Sequence, residues 1–156
     1  MIYRLLYKLL HDSDDIRNRV GSRIFAENAP APRLDAYKRP IPEEYIVLRN
    51  FSGSADYHLE AETDCANPTV QIDCHATPAT AAESLYQLVR NRLSGFSGVV
   101  DVLGEGGTEE EMTVHECRII RPGMTVESPR DASDQWSYNH SADFEIYHSQ
   151  SVPTLT

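Results

Sequence analysis

Apolar residues at the start of the chain recur with the spacing of a helix. Ile2, Leu5, Leu6, Leu9 and Leu10 stand at i, i+3, i+4, i+7 and i+8, with Arg4, Tyr7 and Lys8 on the other side. A second short helix is predicted after Ser13, a good N-cap residue. Asp14 and Asp15 suit its first turn, Ile16 and Val20 supply its apolar stripe, and Gly21 ends it. Ile24 and Phe25 begin an extended segment. Pro30, Pro32, Pro40 and Pro42 then prevent regular structure between Ala29 and Glu43. So long an irregular stretch in a compact domain is usually functional or mobile.

Beyond this loop the period shifts from helical spacing to alternation. Tyr45 to Phe51 is β-rich and reads as a strand. Between Thr69 and Thr77, Val70, Ile72, Cys74 and Ala76 form one face, and Gln71, Asp73, His75 and Thr77 form what should be a solvated one. The strongest helix follows. It starts either with the capping-box pair Thr80 and Glu83 or earlier, at Thr77-Pro78. Leu85, Leu88, Val89 and Leu93 carry its stripe, and Gly95 stops it. Gly104 to Glu111 reads as a flexible acidic connection, Met112 to Ile120 as a strand, and Arg121 to Gln135 as a second long loop broken by Pro122, Gly123 and Pro129. Trp136, Tyr138, His140, Ala142, Phe144, Ile146 and His148 alternate along a final strand, and Ser149 to Thr156 form a loose tail. The expected fold is α+β, a mostly antiparallel sheet with helices packed on one face and long Pro/Gly-rich loops, in one domain over 1–156. No internal repeat is present.

Length supports this picture, since a domain of 156 residues can bury roughly two-thirds of the surface of its unfolded chain. The net charge of −10 changes it further. It argues against adhesion to nucleic acid, which requires Lys and Arg against phosphates, and against anionic membranes. No apolar run approaches the roughly 20 residues of a membrane span. Arg4 and Lys8 interrupt the first apolar run and no small-residue cleavage site follows, so it is read as a helix and not as a secretory leader. Cys65, Cys74 and Cys117 are odd in number and irregular in spacing, which suits a reducing cytoplasm better than a disulfide framework.

Candidate chemistry is thin. Gly104, Gly106 and Gly107 lack the Lys-Ser or Lys-Thr pair of a phosphate cradle, and the neighbouring glutamates would repel phosphate. Cys74, His75, His115 and Cys117 are ligand types, but alternation points Cys74 and His75 to opposite faces, and no CxxC or HxxxH spacing occurs. Buried structural cysteine is the better reading. His11-Asp12, Asp73, His75 and Cys117 could act as base and nucleophile, yet nothing in the sequence places them together. Trp136 and Tyr138, on the alternating final strand, read as core. No catalytic residue, metal or cofactor is assigned.

Several segments in fixed order carry a resemblance. An N-terminal helix leads to Gly21-Ser22-Arg23-Ile24-Phe25 and a Pro-rich loop. Pro42-Glu43-Glu44-Tyr45-Ile46-Val47-Leu48 follows. Val70-Gln71-Ile72-Asp73-Cys74-His75-Ala76 then runs into Ala81-Ala82-Glu83 and Leu88-Val89-Arg90. Ser141-Ala142-Asp143-Phe144-Glu145-Ile146-Tyr147 closes the domain. In this order, from Ile2 to Tyr147, the chain resembles the tail-completion proteins of long-tailed bacteriophages, relatives of the tail terminators. One departure stands out: Glu43-Glu44 replaces the usual proline just before the Tyr-Ile-Val strand.

The resemblance implies a structural virion protein and not an enzyme. It would form a ring, typically a homo-hexamer, at the head-proximal end of the tail tube, ending tube growth and presenting a surface to the head-tail connector. Its partners would be the tail tube protein and the connector or stopper protein, with DNA passing through without specific binding. It would be located in the tail or neck of the virion, and in the host cytoplasm during assembly. Six copies would carry about −60 together, a field that lets DNA slide without sticking. Glu105, Glu109, Glu110 and Glu111 are the candidates for a channel lining or assembly contact. Arg33, Tyr37, Arg39, Arg121 and Arg130, on the two long loops, are the candidates for contacts between subunits. The alternatives are a head-tail connector or stopper and, from another class, a small soluble enzyme or ligand-binding domain with a pocket of convergent polar groups.

Overall fold

The computed structural model describes residues 2–30, 33–38, 43–52, 55–57, 62–66, 68–77, 79–103, 107, 109–127 and 137–149. Side chains are described in these ranges except at 51–52, 55–57, 62–66, 103, 122–127 and 137. The fold is α+β. Helices α1 (Ile2–His11) and α2 (Asp14–Val20) lead to strand β1 (Ile24–Ala26). Strands β2 (Tyr45–Ser52), β3 (Ala55–Tyr57), β4 (Glu62–Ala66) and β5 (Thr69–Ala76) precede helix α3 (Ala79–Leu93). Strands β6 (Gly98–Leu103), β7 (Glu109–Glu127) and β8 (Ser137–Ser149) complete the chain.

All strands belong to one sheet. Strand β8 lies at its centre. Along one edge it pairs with β5 and then with β4; along the other it pairs with β7. Outward from β5 come β2 and then β1, and outward from β7 comes β6. The β1–β2 pairing is parallel; the others among the described residues are antiparallel.

The sheet buries one face against the helices. Ile46, Leu48, Val70, Ile72, Cys74, Ala142, Phe144 and Ile146 project to the same side and join one core with Leu5, Leu6, Leu9, Leu10, Ile16, Val20, Leu85, Val89 and Leu93. The apolar spacing of α1 is therefore the register of its buried face, since Ile2, Leu5, Leu6, Leu9 and Leu10 are all buried. Helix α3 starts at Ala79, as Thr77-Pro78 allowed, and adds Ala82 and Tyr86 to the predicted stripe, while Leu88 is only partly buried. Polar ties fix the helix positions. Tyr3 Oη accepts from the Asn50 amide at 3.0 Å, and Arg92 Nε donates to the Leu9 carbonyl at 2.8 Å, satisfying the C-terminal end of α1.

The densest polar tie is centred on Arg19. Its Nε and Nη2 donate to the two carboxylate oxygens of Glu44 at 2.7 and 2.6 Å. The same guanidinium donates to Ser84 Oγ at 2.8 Å and to the Ala81 carbonyl at 2.9 Å. Arg23 Nε donates to the Glu44 carbonyl at 2.8 Å. One fork thus joins α2, α3 and the start of β2.

The structure corrects several expectations. Strand β7 begins at Glu109 and continues to Glu127, so Glu109–Glu111 are not part of a loose connection, and Arg121 to Glu127 are not loop. Pairing with β8 overrides the Pro122-Gly123 signal. Register shifts between Val114 and Glu116 and between Ile119 and Arg121 mark bulges, and a proline beside a bulge on a strand edge is tolerated. The face of β5 expected to be solvated buries Asp73 and His75. Ser13 is the N-cap of α2 by conformation but makes no side-chain capping bond. Strands β3, β4 and β6 were not expected. Trp136 and the tail from 150 onward lie outside the described residues.

Truncating the central core residue tests this packing. Phe144→Ala is expected to cost about 3–5 kcal/mol in chemical denaturation, while Ile120→Ala, at a half-exposed position of β7, should stay within about 0.5 kcal/mol. Similar losses for both would contradict the burial described.

Candidate functional site

Among the described residues, three features lie outside the helix-packed core: an acidic margin, an anchored turn and a row of polar side chains across the sheet, part of it buried. The acidic margin is the β6–β7 hairpin. Glu111 pairs with Asp101, Glu110 with Val102 and Glu109 with Leu103. Alternation buries Val100, Val102, Met112 and Val114 and leaves Val99, Asp101, Glu109 and Glu111 on the outer face, all exposed. Asp101 and Glu111 are like charges directly opposite one another, an arrangement that destabilises a hairpin. Neither has an ion-pair partner among the described residues. Glu110 is exposed as well; Glu105 lies outside the described residues.

The turn lies at the other side of the sheet. Asp35 Oδ1 accepts from the Tyr37 amide at 2.8 Å and the Asp35 carbonyl accepts from the Lys38 amide at 3.0 Å, with Lys38 at φ 59°. Arg33 Nε donates to Glu43 Oε1 at 2.9 Å, fastening the turn beside the start of β2. That bond raises the Arg33 pKa and lowers that of Glu43. The turn presents Tyr37, 79% exposed, and Leu34, 57% exposed. Of the other expected subunit contacts, Arg121 is exposed on β7 opposite Asp143, and Arg39 and Arg130 lie outside the described residues.

The polar row crosses β2, β5 and β8 on the face turned away from the helices. Tyr45 stacks on His75 with ring centroids 4.4 Å apart. Asp73 is fully buried, accepts from Gln71 Nε2 at 2.6 Å and lies 3.5 Å from Arg49 Nε. Burial raises its pKa above the ordinary 3.8, against the lowering effects of the Gln71 bond and the Arg49 charge. Further along, Arg118 pairs with Glu145 at 3.1 Å.

The catalytic residue types are spread out. His11 stacks on Tyr7 at the end of α1, Asp12 pairs with Lys8, and Cys117 faces the core, away from Asp73 and His75. Burial pushes the Cys74 thiol up and the Cys117 thiol up to about 12, so both stay protonated near neutrality. Among the described residues no three His, Cys, Asp or Glu side chains group as metal ligands, and no helix is long and apolar enough to cross a membrane. The margin's like-charge pair was not foreseen, because the strand start at Glu109 was not; the pairing register is what reveals it.

No family model matches the sequence, and no curated protein does. Solved structures do match. One is a chain of a structure described as the virion of a native gene transfer agent particle, with a TM-score of 0.59 and 13% identity, covering 92% of this chain and 91% of that one. At that identity the likeness is one of fold.

Acidification acts on the buried groups with opposite signs. Burial holds His148 and His140 below the ordinary 6.5, so the unfolded chain protonates first and stability is lost as pH falls through 6.5 towards the folded value. Asp73, held above 3.8, protonates first in the folded chain, so stability is gained as pH falls from that raised value towards 3.8. Melting followed by circular dichroism should show the histidine loss below about pH 6.5. Asp73→Asn should then fall more steeply with acid than the wild type; equal slopes would contradict the assignment.

Proposed function

We propose that this chain is a structural component of a tailed, phage-like virion and, more narrowly, a tail-completion subunit that closes the head-proximal end of the tail tube as a ring. The observation that carries the reading is the fold likeness, which runs almost end to end in both chains, to a chain from a virion particle. The order of segments in the sequence, from the N-terminal helix to the final strand, supports the same reading.

The geometry suits work by shape. The two flanks of the sheet differ in charge and contour, with an acidic hairpin on one side and an anchored aromatic turn on the other. Unlike surfaces of this kind generate rings when the rotation between neighbours closes, and six is the number expected here. One ring surface would meet the tube protein and the opposite one the connector. The second must not match the tube, or growth would continue. Acidic side chains on the hairpin would keep phosphates from adhering as DNA passes.

Particles produced without this chain test the reading by electron microscopy. Overlong tails are the expected result. Tails of normal length that fail to join heads would assign the chain to the connector instead, and intact particles would overturn both. Replacing Glu109 and Glu110 together with Gln is expected to slow DNA ejection while leaving tail length unchanged; ejection at the wild-type rate would remove the channel role.

A further inference from the structure

We propose that the Arg33–Lys38 turn of one copy docks on the β6–β7 margin of a second copy, joining neighbours head to tail; this rests on the ring reading and names its surfaces. Apolar exposure is the first observation. Leu34 and Tyr37 project from the turn, and Val99, 62% exposed, projects from β6 among acids. Large exposed apolar side chains sited together are the usual anchors of an interface, above all a tyrosine at a tip.

Placement is the second observation. The turn belongs to the connection between β1 and β2 and is held beside Glu43, at the β1–β2 side of the sheet. The margin is β6 with the first residues of β7, at the opposite side. Contacts between unlike, opposite flanks propagate around an axis, whereas a single self-complementary patch would stop at a dimer.

Charge is the third. Lys38 stands exposed at the end of the turn, Arg33 being held by Glu43, and Asp101 and Glu111 lie next to Val99 on the outer face of the hairpin. The opposed pair Asp101 and Glu111 destabilises the isolated subunit, and a cation delivered by a neighbour relieves that repulsion.

The test uses two full-length variants. Leu34→Ala with Tyr37→Ala disables the turn; Asp101→Lys with Glu111→Lys disables the margin. Sedimentation velocity should show the wild type associating with rising concentration, less so at high salt, and each variant alone associating at least about tenfold more weakly. An equimolar mixture should recover a dimer and stop there, because one intact turn then meets one intact margin. Circular dichroism melts check that both variants fold. Independently, Tyr37→Cys and Val99→Cys chains should cross-link to each other faster than either does to itself.

A wild type that is monomeric at every concentration, variants that associate like the wild type, or a mixture that recovers nothing would each overturn the docking. Variants that are monomeric yet still cap tails normally would overturn the docking and leave the ring reading standing. Normal tails in particles lacking the chain would overturn the ring reading, and the solution masses would still decide whether two copies dock this way.

Discussion

The structure depends on the double pairing of β8. Over 13 residues this strand is bonded to β5 and β4 on one edge and to β7 on the other, while one of its faces closes the core. A slip of one residue would swing Phe144 and Ile146 out and drive Asp143 and Glu145 in against α3, so burial fixes the register. That register sets the rest. It places His75 opposite Asn139 and Arg118 opposite Glu145, and the bulges in β7 absorb the mismatch between the two hairpin legs without moving the core face. Helix α3 reads the same register through the stacking of Tyr86 on His140, with centroids 4.0 Å apart.

What could be read from the sequence was whatever repeated. Five apolar residues at helical spacing located α1, and alternation from Ala142 to His148 located the buried face of β8. What could not be read depended on partners distant in the chain. Pro122 and Gly123 signal a break locally, but β8 supplies a template that carries β7 through them. Alternation assigned Asp73 and His75 to the face away from the core; burial there depends on neighbouring strands, which periodicity does not describe. Gly98 to Leu103 is too short and too close to the end of α3 to announce a strand before its partner is known. At the candidate site, the exposed loop with Arg33 and Tyr37 and the acidity of Glu109–Glu111 were legible, but the Asp101–Glu111 opposition and the Asp35-built turn were not.

The Glu43-Glu44 pair shows how a local feature acquires meaning only in three dimensions. In sequence it is two acids just ahead of a strand. In the fold, Glu44 accepts from Nε and Nη2 of Arg19 and Glu43 accepts from Arg33, so two consecutive carboxylates serve the helix packing on one side and the protruding turn on the other.

That arrangement also defines a mechanical path. A pull on the tip at Tyr37 loads Arg33 and Glu43 first, passes along one peptide unit to Glu44, and spreads through the guanidinium of Arg19 into both α2 and α3. The outermost point of the turn is therefore braced against two helices as well as tethered by its own backbone, and a tug there is shared by the interior before β2 can peel.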